Sequence, residues 1–273
     1  MIPHDPALLR RLHLAAYACT VVDAGHPLRR ALYGDLMRHT ARHAAMVAEL
    51  APLLQAWHDA GVSALLYKGM HLSAFVYPVV GTRFHGDVDI LVSAVSVQRA
   101  VAIARELHWE VESLRTGERD HNAATLSRRE GATAIDLHRW AVHRPSRDMS
   151  HARHITDAVW ARATHALLGT APVFVPDAVD ALLVGLVLER TWGDRWMTKA
   201  HDPIDWMLLR DRDGVTREAL MERAGELGCP RTLASFLARF DPDTGLPALA
   251  PPGRMTRAAL ELRTGLESGL PEA

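Results

Sequence analysis

The chain has 273 residues, enough for one large domain or two modest ones with a sizeable core. A hydrophobic share of 48% and a charged share of 23% are ordinary for a globular protein and exclude a disordered or collagen-like chain. A formal net charge of −1 gives no general attraction to nucleic acid or an anionic membrane, and two cysteines, Cys19 and Cys229, make neither a disulfide framework nor a zinc-type spacing.

The N-terminus, "MIPHDPALLRR", lacks the apolar core of a signal peptide. Residues 5–60 read as helices. Val47, Leu50, Leu54 and Trp57 form an amphipathic stripe, and Gly61 stands where a helix C-cap favours glycine. "SALLYKG" (63–69) reads as a short buried strand ending in a turn, and "MHLSAFVY" as one or two helical turns stopped by Pro78. "DVDILV" (87–92) is a strand and Ser96–His108 a helix. "WEVESL" (109–114), "HNAATLSR" (121–128) and "ATAIDLHR" (132–139) alternate as strands, the last two joined as a hairpin through Arg129–Gly131.

Beyond about residue 150 the periodicity turns helical, starting at Pro176–Asp177 and continuing over roughly 203–211, 215–227 and 231–240. "DPDTGLPALAPPGRM" (241–255) is a Pro-rich break before a last short helix. The most apolar run, "ALLVGLVL" (181–188), ends at Glu189, far short of the ~20 residues that span a bilayer. The expected fold is α+β: N-terminal helices (1–60), a small mixed sheet (61–145) and a helical C-terminal subdomain (146–273). No membrane partner is expected, and a cytoplasmic location is the default.

Asp87 and Asp89 pose a problem of cost. They sit two apart in a strand otherwise made of Val88, Ile90, Leu91 and Val92, so alternation puts both carboxylates on one face. Asp is depleted in strands, and two like charges there repel and lose hydration. Asp136 in "TAIDLH" stands in another apolar strand, with His138 two residues on. If that strand neighbours 88–92, three carboxylates converge, and an oxygen-rich cluster suits Mg²⁺ or Mn²⁺. Such clusters hold two metals about 3.5–4 Å apart in phosphoryl and nucleotidyl transfer. From the D-x-D alone, a metal site stands level with a bland arrangement in which Asp87 caps a turn and Asp89 or Asp136 faces solvent on a one-sided sheet.

The stretch "LLYKGMHLSAFVYPVVGTRFHGDVDILV", followed by a helix and "TAIDLH", is similar to the nucleotidyltransferases of the DNA polymerase β superfamily. Within them it resembles an uncharacterised bacterial branch with hydrophobic-Lys-Gly, Tyr-Pro, Arg, Asp-x-Asp and Asp-Leu-His in that order. The likeness covers residues 45–140 well and the helical tail loosely. It implies that Asp87 and Asp89 hold both metals and the triphosphate, and that Asp136 completes the site of the metal activating an acceptor hydroxyl. It implies NTP as co-substrate and pyrophosphate as leaving group.

The turn departs from the family pattern. Met70 stands where a second small residue is usual, so backbone amides or Lys68 would replace a serine hydroxyl. Gly69 permits close backbone approach to phosphate, and the helix that follows favours an anion. Lys68 is one of two lysines among 31 basic residues, and as a compact point charge it suits a phosphate contact. Arg83 either reaches the triphosphate or is an exposed loop arginine. His138 either orients Asp136 or the acceptor, or is an ordinary satisfied sheet histidine. Tyr77 packs. Lys199 and Arg195 in "RWMTKAHDPIDWMLL" either approach the nucleotide or mark a solvated helix start capped by Asp202.

Other motifs fail. Lys-Gly is the wrong order for a P-loop, "DLHRW" lacks the kinase His-Arg-Asp, and "HTARH" has no Glu between His39 and His43. The remaining histidines, among them His143, His151 and His154, read as solvated. The leading expectation is an enzyme moving an NMP from an NTP to an acceptor hydroxyl on a small molecule, a peptide or protein, or an RNA end. Near-neutral charge and few aromatics argue against an extended nucleic-acid track. The other expectation is a catalytically impaired nucleotide-binding regulatory or scaffold protein of the same fold, prompted by Met70.

Overall fold

The computed structural model describes residues 5–129, 131, 133–143, 149–194, 196–239, 253 and 256–260. Arg195 and most of the Pro-rich break at 241–255 lie outside the described residues. The chain forms two compact units: residues 1–114, 124–137 and 165–174 in the first, and 115–123, 138–164 and 175–273 in the second.

In the first unit, helices α1 (Pro6–Arg11) and α2 (Ala15–Val21) lead to α3 (Pro27–Asp59). Asp5 caps α1 by accepting from the Ala7 N–H at 2.9 Å, and His26 caps α3 through Nδ1 on the Leu28 N–H at 3.1 Å. The helical expectation for 5–60 is met by one 33-residue helix and two short ones, and α3 runs on through Pro52. Leu50, Leu54 and Trp57 are buried as their spacing predicts, and Trp57 Nε1 donates to the Ala100 carbonyl at 2.9 Å. Leu9, Ala15, Ala18, Cys19, Leu28 and Leu32 make a separate apolar cluster that joins the three helices.

Strand β1 (Leu65–Leu66) is shorter than expected, and α4 (Lys68–His71) follows at once, widening into a π-helical turn over Leu72–Val76. Then come β2 (Val88–Leu91), α5 (Val97–Glu106), β3 (Glu110–Leu114), β4 (Asn122–Ser127) and β5 (Ala134–His138). The sequence pattern suggests five strands; the sheet has seven. Beyond residue 150, where helices were expected, β6 (Thr164–Leu168) and β7 (Ala171–Val175) form a hairpin and complete the order β3-β4-β5-β2-β1-β7-β6. β1 pairs antiparallel with β2, Leu65 opposite Leu91 and Leu66 opposite Ile90, and parallel with β7, Leu65 opposite Phe174. The sheet is therefore mixed and the fold α+β. Val88, Ile90, Leu91, Ile135 and Leu137 are fully buried; Ile90 and Leu91 point to opposite faces, so β2 is packed on both sides near its end.

The second unit is mainly helical: α6 (Ser150–Arg162), α7 (Ala178–Leu182), α8 (Asp202–Asp213), α9 (Arg217–Glu226) and α10 (Pro230–Leu237). Asp177 starts α7 as its sequence predicts, accepting from the Asp180 N–H at 2.9 Å, and α7 continues π-helically over Leu183–Gly193. Among the described residues no helix is long and apolar enough to cross a membrane.

Candidate active site

Six of the eight residues singled out from the sequence lie in the first unit: Lys68, Gly69, Arg83, Asp87, Asp89 and Asp136. Asp89 is the second residue of β2, half-buried between fully buried Val88 and Ile90. Asp87 immediately precedes the strand. Asp136 is the middle residue of β5, and β5 lies next to β2 in the sheet. That adjacency was the condition for three carboxylates to converge.

The electrostatics reflect the approach. Asp87 reaches solvent at one side, yet surrounding atoms strip water from its carboxyl and raise its pKa above the usual value. The charges of Asp89 and Asp136 push it further up, and Lys68 opposes them. A hard divalent cation takes carboxylate oxygens of this kind and relieves the repulsion, so the donor set fits Mg²⁺ or Mn²⁺. Asp136 is held from the neighbouring strand: Thr125 Oγ1 on β4 donates to its Oδ1 at 3.1 Å. Sequence reasoning passed over Thr125, whose only signal is a hydroxyl on an alternating strand.

The β1–β2 register brings the turn after β1 to the carboxylates. The Tyr67 N–H points to the Asp89 carbonyl, and Lys68 Nζ donates to Asp89 Oδ1 at 3.1 Å, with the ammonium 4.9 Å from the Tyr67 ring centre. Lys68 is not a surface residue; its side chain is 14% exposed. Its φ of +52° is in the left-handed region, a conformation that costs a non-glycine residue about 1–2 kcal/mol.

Gly69 has a packing reason to lack a side chain. A Cβ there would come within 2.5 Å of His85 Cβ and 3.5 Å of Arg83 Nη1. The guanidinium of Arg83 therefore lies beside the turn, and Arg83 is buried, which removes the exposed-loop reading. It donates to the Phe84 carbonyl at 2.7 Å. Met70 is fully buried, so its side chain serves the core and the turn offers backbone groups. Tyr77 packs as expected, edge-on to Tyr17 at 5.5 Å.

Two of the eight belong to the second unit. His138, the last residue of β5, is buried with its ring 4.3 Å from that of His121. Lys199 is half-exposed, 3.8 Å from Asp194, and its backbone N–H donates to Asp202 Oδ2 at 2.7 Å. Asp202 does not face solvent at a helix start. It is fully buried and takes the Arg190 guanidinium in two bonds of 2.8 and 3.0 Å. His201, Asp202 and Asp205 bring ligand atoms within 4.8 Å of one another, but Arg190 already engages both Asp202 oxygens, which marks a structural cluster. His151 and His154 are more than solvated positions. Their Nε2 atoms bond the carbonyls of Leu227 and Glu226 at 2.5 and 2.8 Å, at the end of α9.

Among solved structures the chain is similar to the solution structure of the antibiotic-resistance factor ANT(2'')-Ia, with 12% identity, a TM-score of 0.38, and coverage of 81% of this chain and 94% of that one. It is also similar to the crystal structure of ANT(2'')-Ia in complex with adenylyl-2''-tobramycin, with 11% identity, a TM-score of 0.36, and coverage of 81% and 97%. No curated protein matches the chain. The profile of a family described as uncharacterised nucleotidyltransferase matches residues 7–240, and the chain belongs to that family.

Proposed function

We propose that the protein transfers a nucleoside monophosphate from an NTP to an acceptor hydroxyl, using Asp87, Asp89 and Asp136 as its acidic centre. The observation that carries the reading is the adjacency of β5 to β2, with the charges of Asp89 and Asp136 both bearing on Asp87. Mg²⁺ or Mn²⁺ would be held by those three residues, and when bound would screen the triphosphate and make the acceptor hydroxyl more acidic. Lys68, which precedes Gly69, and Arg83, whose guanidinium lies beside it, supply the positive charge for the phosphates. Asp136, fixed by Thr125, lies on the acceptor's side. In the transfer the acceptor oxygen bonds to the α-phosphorus, the bond from that phosphorus to the β-phosphate oxygen breaks, pyrophosphate leaves, and the hydroxyl proton is released.

The second reading is a nucleotide-binding protein of this family without turnover. Its support is the turn itself, where buried Met70 replaces a hydroxyl and Lys68 is engaged with Asp89. Incubation with each labelled NTP, Mg²⁺ and a cell extract separates the two. Transfer of label to an acceptor, lost in Asp89→Asn, is expected. Metal-dependent NTP binding with no transfer to any fraction selects the second reading. NTP affinity unchanged by EDTA removes the acidic centre from both.

A further inference from the structure

We propose that Arg42, on α3, is a positioning residue for Asp87: its guanidinium grips the two carbonyls preceding the carboxylate and fixes the direction in which Asp87 leaves the sheet. The inference rests on the proposed role of Asp87 in holding a divalent cation. Arg42 lies outside the nucleotidyltransferase-like stretches of the sequence, 45 residues before Asp87.

The geometry is a fork on one stretch of chain. Arg42 Nη1 donates to the His85 carbonyl at 2.6 Å, and Nη2 donates to the Gly86 carbonyl at 3.0 Å. The planar guanidinium can hold two successive carbonyls at once, which a lysine ammonium does less rigidly. Its carbon also stands 5.3 Å from the centre of the Phe84 ring, so the side chain is fixed along its length. The charge of Asp87 acts favourably on Arg42, so this cation is near enough to offset part of the carboxylate repulsion.

His85 closes the brace from the other side. Its Nδ1 contacts the Asp87 carbonyl at 2.8 Å; a carbonyl only accepts, so this nitrogen carries the proton. Its Cβ fills the space beside Gly69. A single residue thus spaces the Lys68–Gly69 turn from the Asp87 backbone, and Arg42 holds that residue's carbonyl. A metal site loses affinity when the groups orienting its ligands are removed, commonly by 10–100-fold.

The test measures Mn²⁺ binding to the full chain by calorimetry, with a thermal melt for each variant. Arg42→Gln is expected to weaken Mn²⁺ about tenfold while keeping a cooperative melt, and Arg42→Lys to recover only part of the loss. In the Asp87→Asn background, Arg42→Gln is expected to cause no further loss, because its effect passes through that carboxylate. Parent-like Mn²⁺ affinity in folded Arg42→Gln, or an additive loss in the double variant, overturns the proposal. If Arg42→Gln does not fold, Arg42→Lys decides: parent-like affinity there overturns the two-carbonyl grip. Unchanged affinity in Asp87→Asn itself overturns the acidic centre, so the two failures are told apart.

Discussion

Lys68 combines the three features that a functional residue tends to collect: a left-handed backbone, a half-buried ion pair and a place beside the glycine turn. Each is separable by substitution. Lys68→Ala removes the side chain but keeps the strained backbone, whereas Lys68→Gly removes both. Glycine adopts positive φ at little cost, so Lys68→Gly is expected to be about 1 kcal/mol more stable than Lys68→Ala. Both are expected to bind NTP markedly more weakly than the parent, with Lys68→Arg intermediate, because the guanidinium is broader than the ammonium it replaces. Denaturant melts and nucleotide titrations of the three read the two effects separately. Parent-like NTP affinity in Lys68→Ala moves the phosphate contact to Arg83. Elsewhere at this scale, His43 is buried beside Arg42, its Nδ1 3.2 Å from Ser73 Oγ and its ring 6.2 Å from that of His85. Burial first, then the charge of Arg42, hold its pKa below the ordinary 6.5. The unfolded chain therefore takes this proton first, and the stability that neutral His43 supports is complete above about pH 6.5 and declines as the pH falls below it. The stability difference between parent and His43→Gln is expected to shrink between pH 7 and pH 5; a constant difference refutes the assignment.

Strands and helices differ in how far the sequence betrays them. "DVDILV" and "TAIDLH" were legible because short apolar runs are interrupted by Asp at alternate positions, and Val88, Ile90, Ile135 and Leu137 are fully buried on either side of them. The hairpin of β6 and β7 was not, because Pro172 donates no N–H and its presence argues against a strand inside a sheet. The turn at Gly169 was its one signal. The φ of +62° there favours glycine, and an added Cβ would stand 3.3 Å from Val47 Cγ1 on α3. Gly169→Ala is therefore expected to cost about 1–2 kcal/mol in a denaturant melt while leaving Mn²⁺ affinity unchanged, since the hairpin lies two strands from β2. Full stability in that variant would place the turn wrongly. β5 carries the opposite expectation. Asp136→Asn keeps the Thr125 contact and the strand, so stability should hold; turnover should fall far more than NTP affinity if Asp136 serves the acceptor. Arg42 and Thr125 were invisible for a shared reason. Each acts on a residue in another element, and periodicity reports only the face a residue shares with its own neighbours.

At the scale of the whole molecule, a net charge of −1 conceals charges turned inward. In the second unit, Arg223 on α9 reaches Asp180 on α7 with two bonds of 2.7 and 2.9 Å, Glu226 with one of 2.7 Å, and the Ala158 carbonyl on α6 at 2.9 Å. One guanidinium thereby ties three helices, and Asp180 is 1% exposed. Burial works against the charge of Asp180, and Arg223 is what makes it tolerable. Such a pair contributes little over apolar residues of the same shape, yet removing one partner leaves a buried charge with nothing to neutralise it. Arg223→Met is thus expected to cost about 3–5 kcal/mol at pH 7, and adding Asp180→Leu to return a large part of it. The pH dependence has a defined sign. Without Arg223 the folded pKa of Asp180 stands further above its unfolded value, so the folded state gains from binding a proton, and that gain is lost as the pH rises through the folded pKa. The deficit of Arg223→Met should therefore be smaller at pH 5 than at pH 7, while the double variant shows no such change. Urea melts of parent, single and double variants at both pH values decide the matter: a deficit independent of pH, or a double variant no better than the single, would mean that Arg223 acts by packing its stem and not by neutralising Asp180.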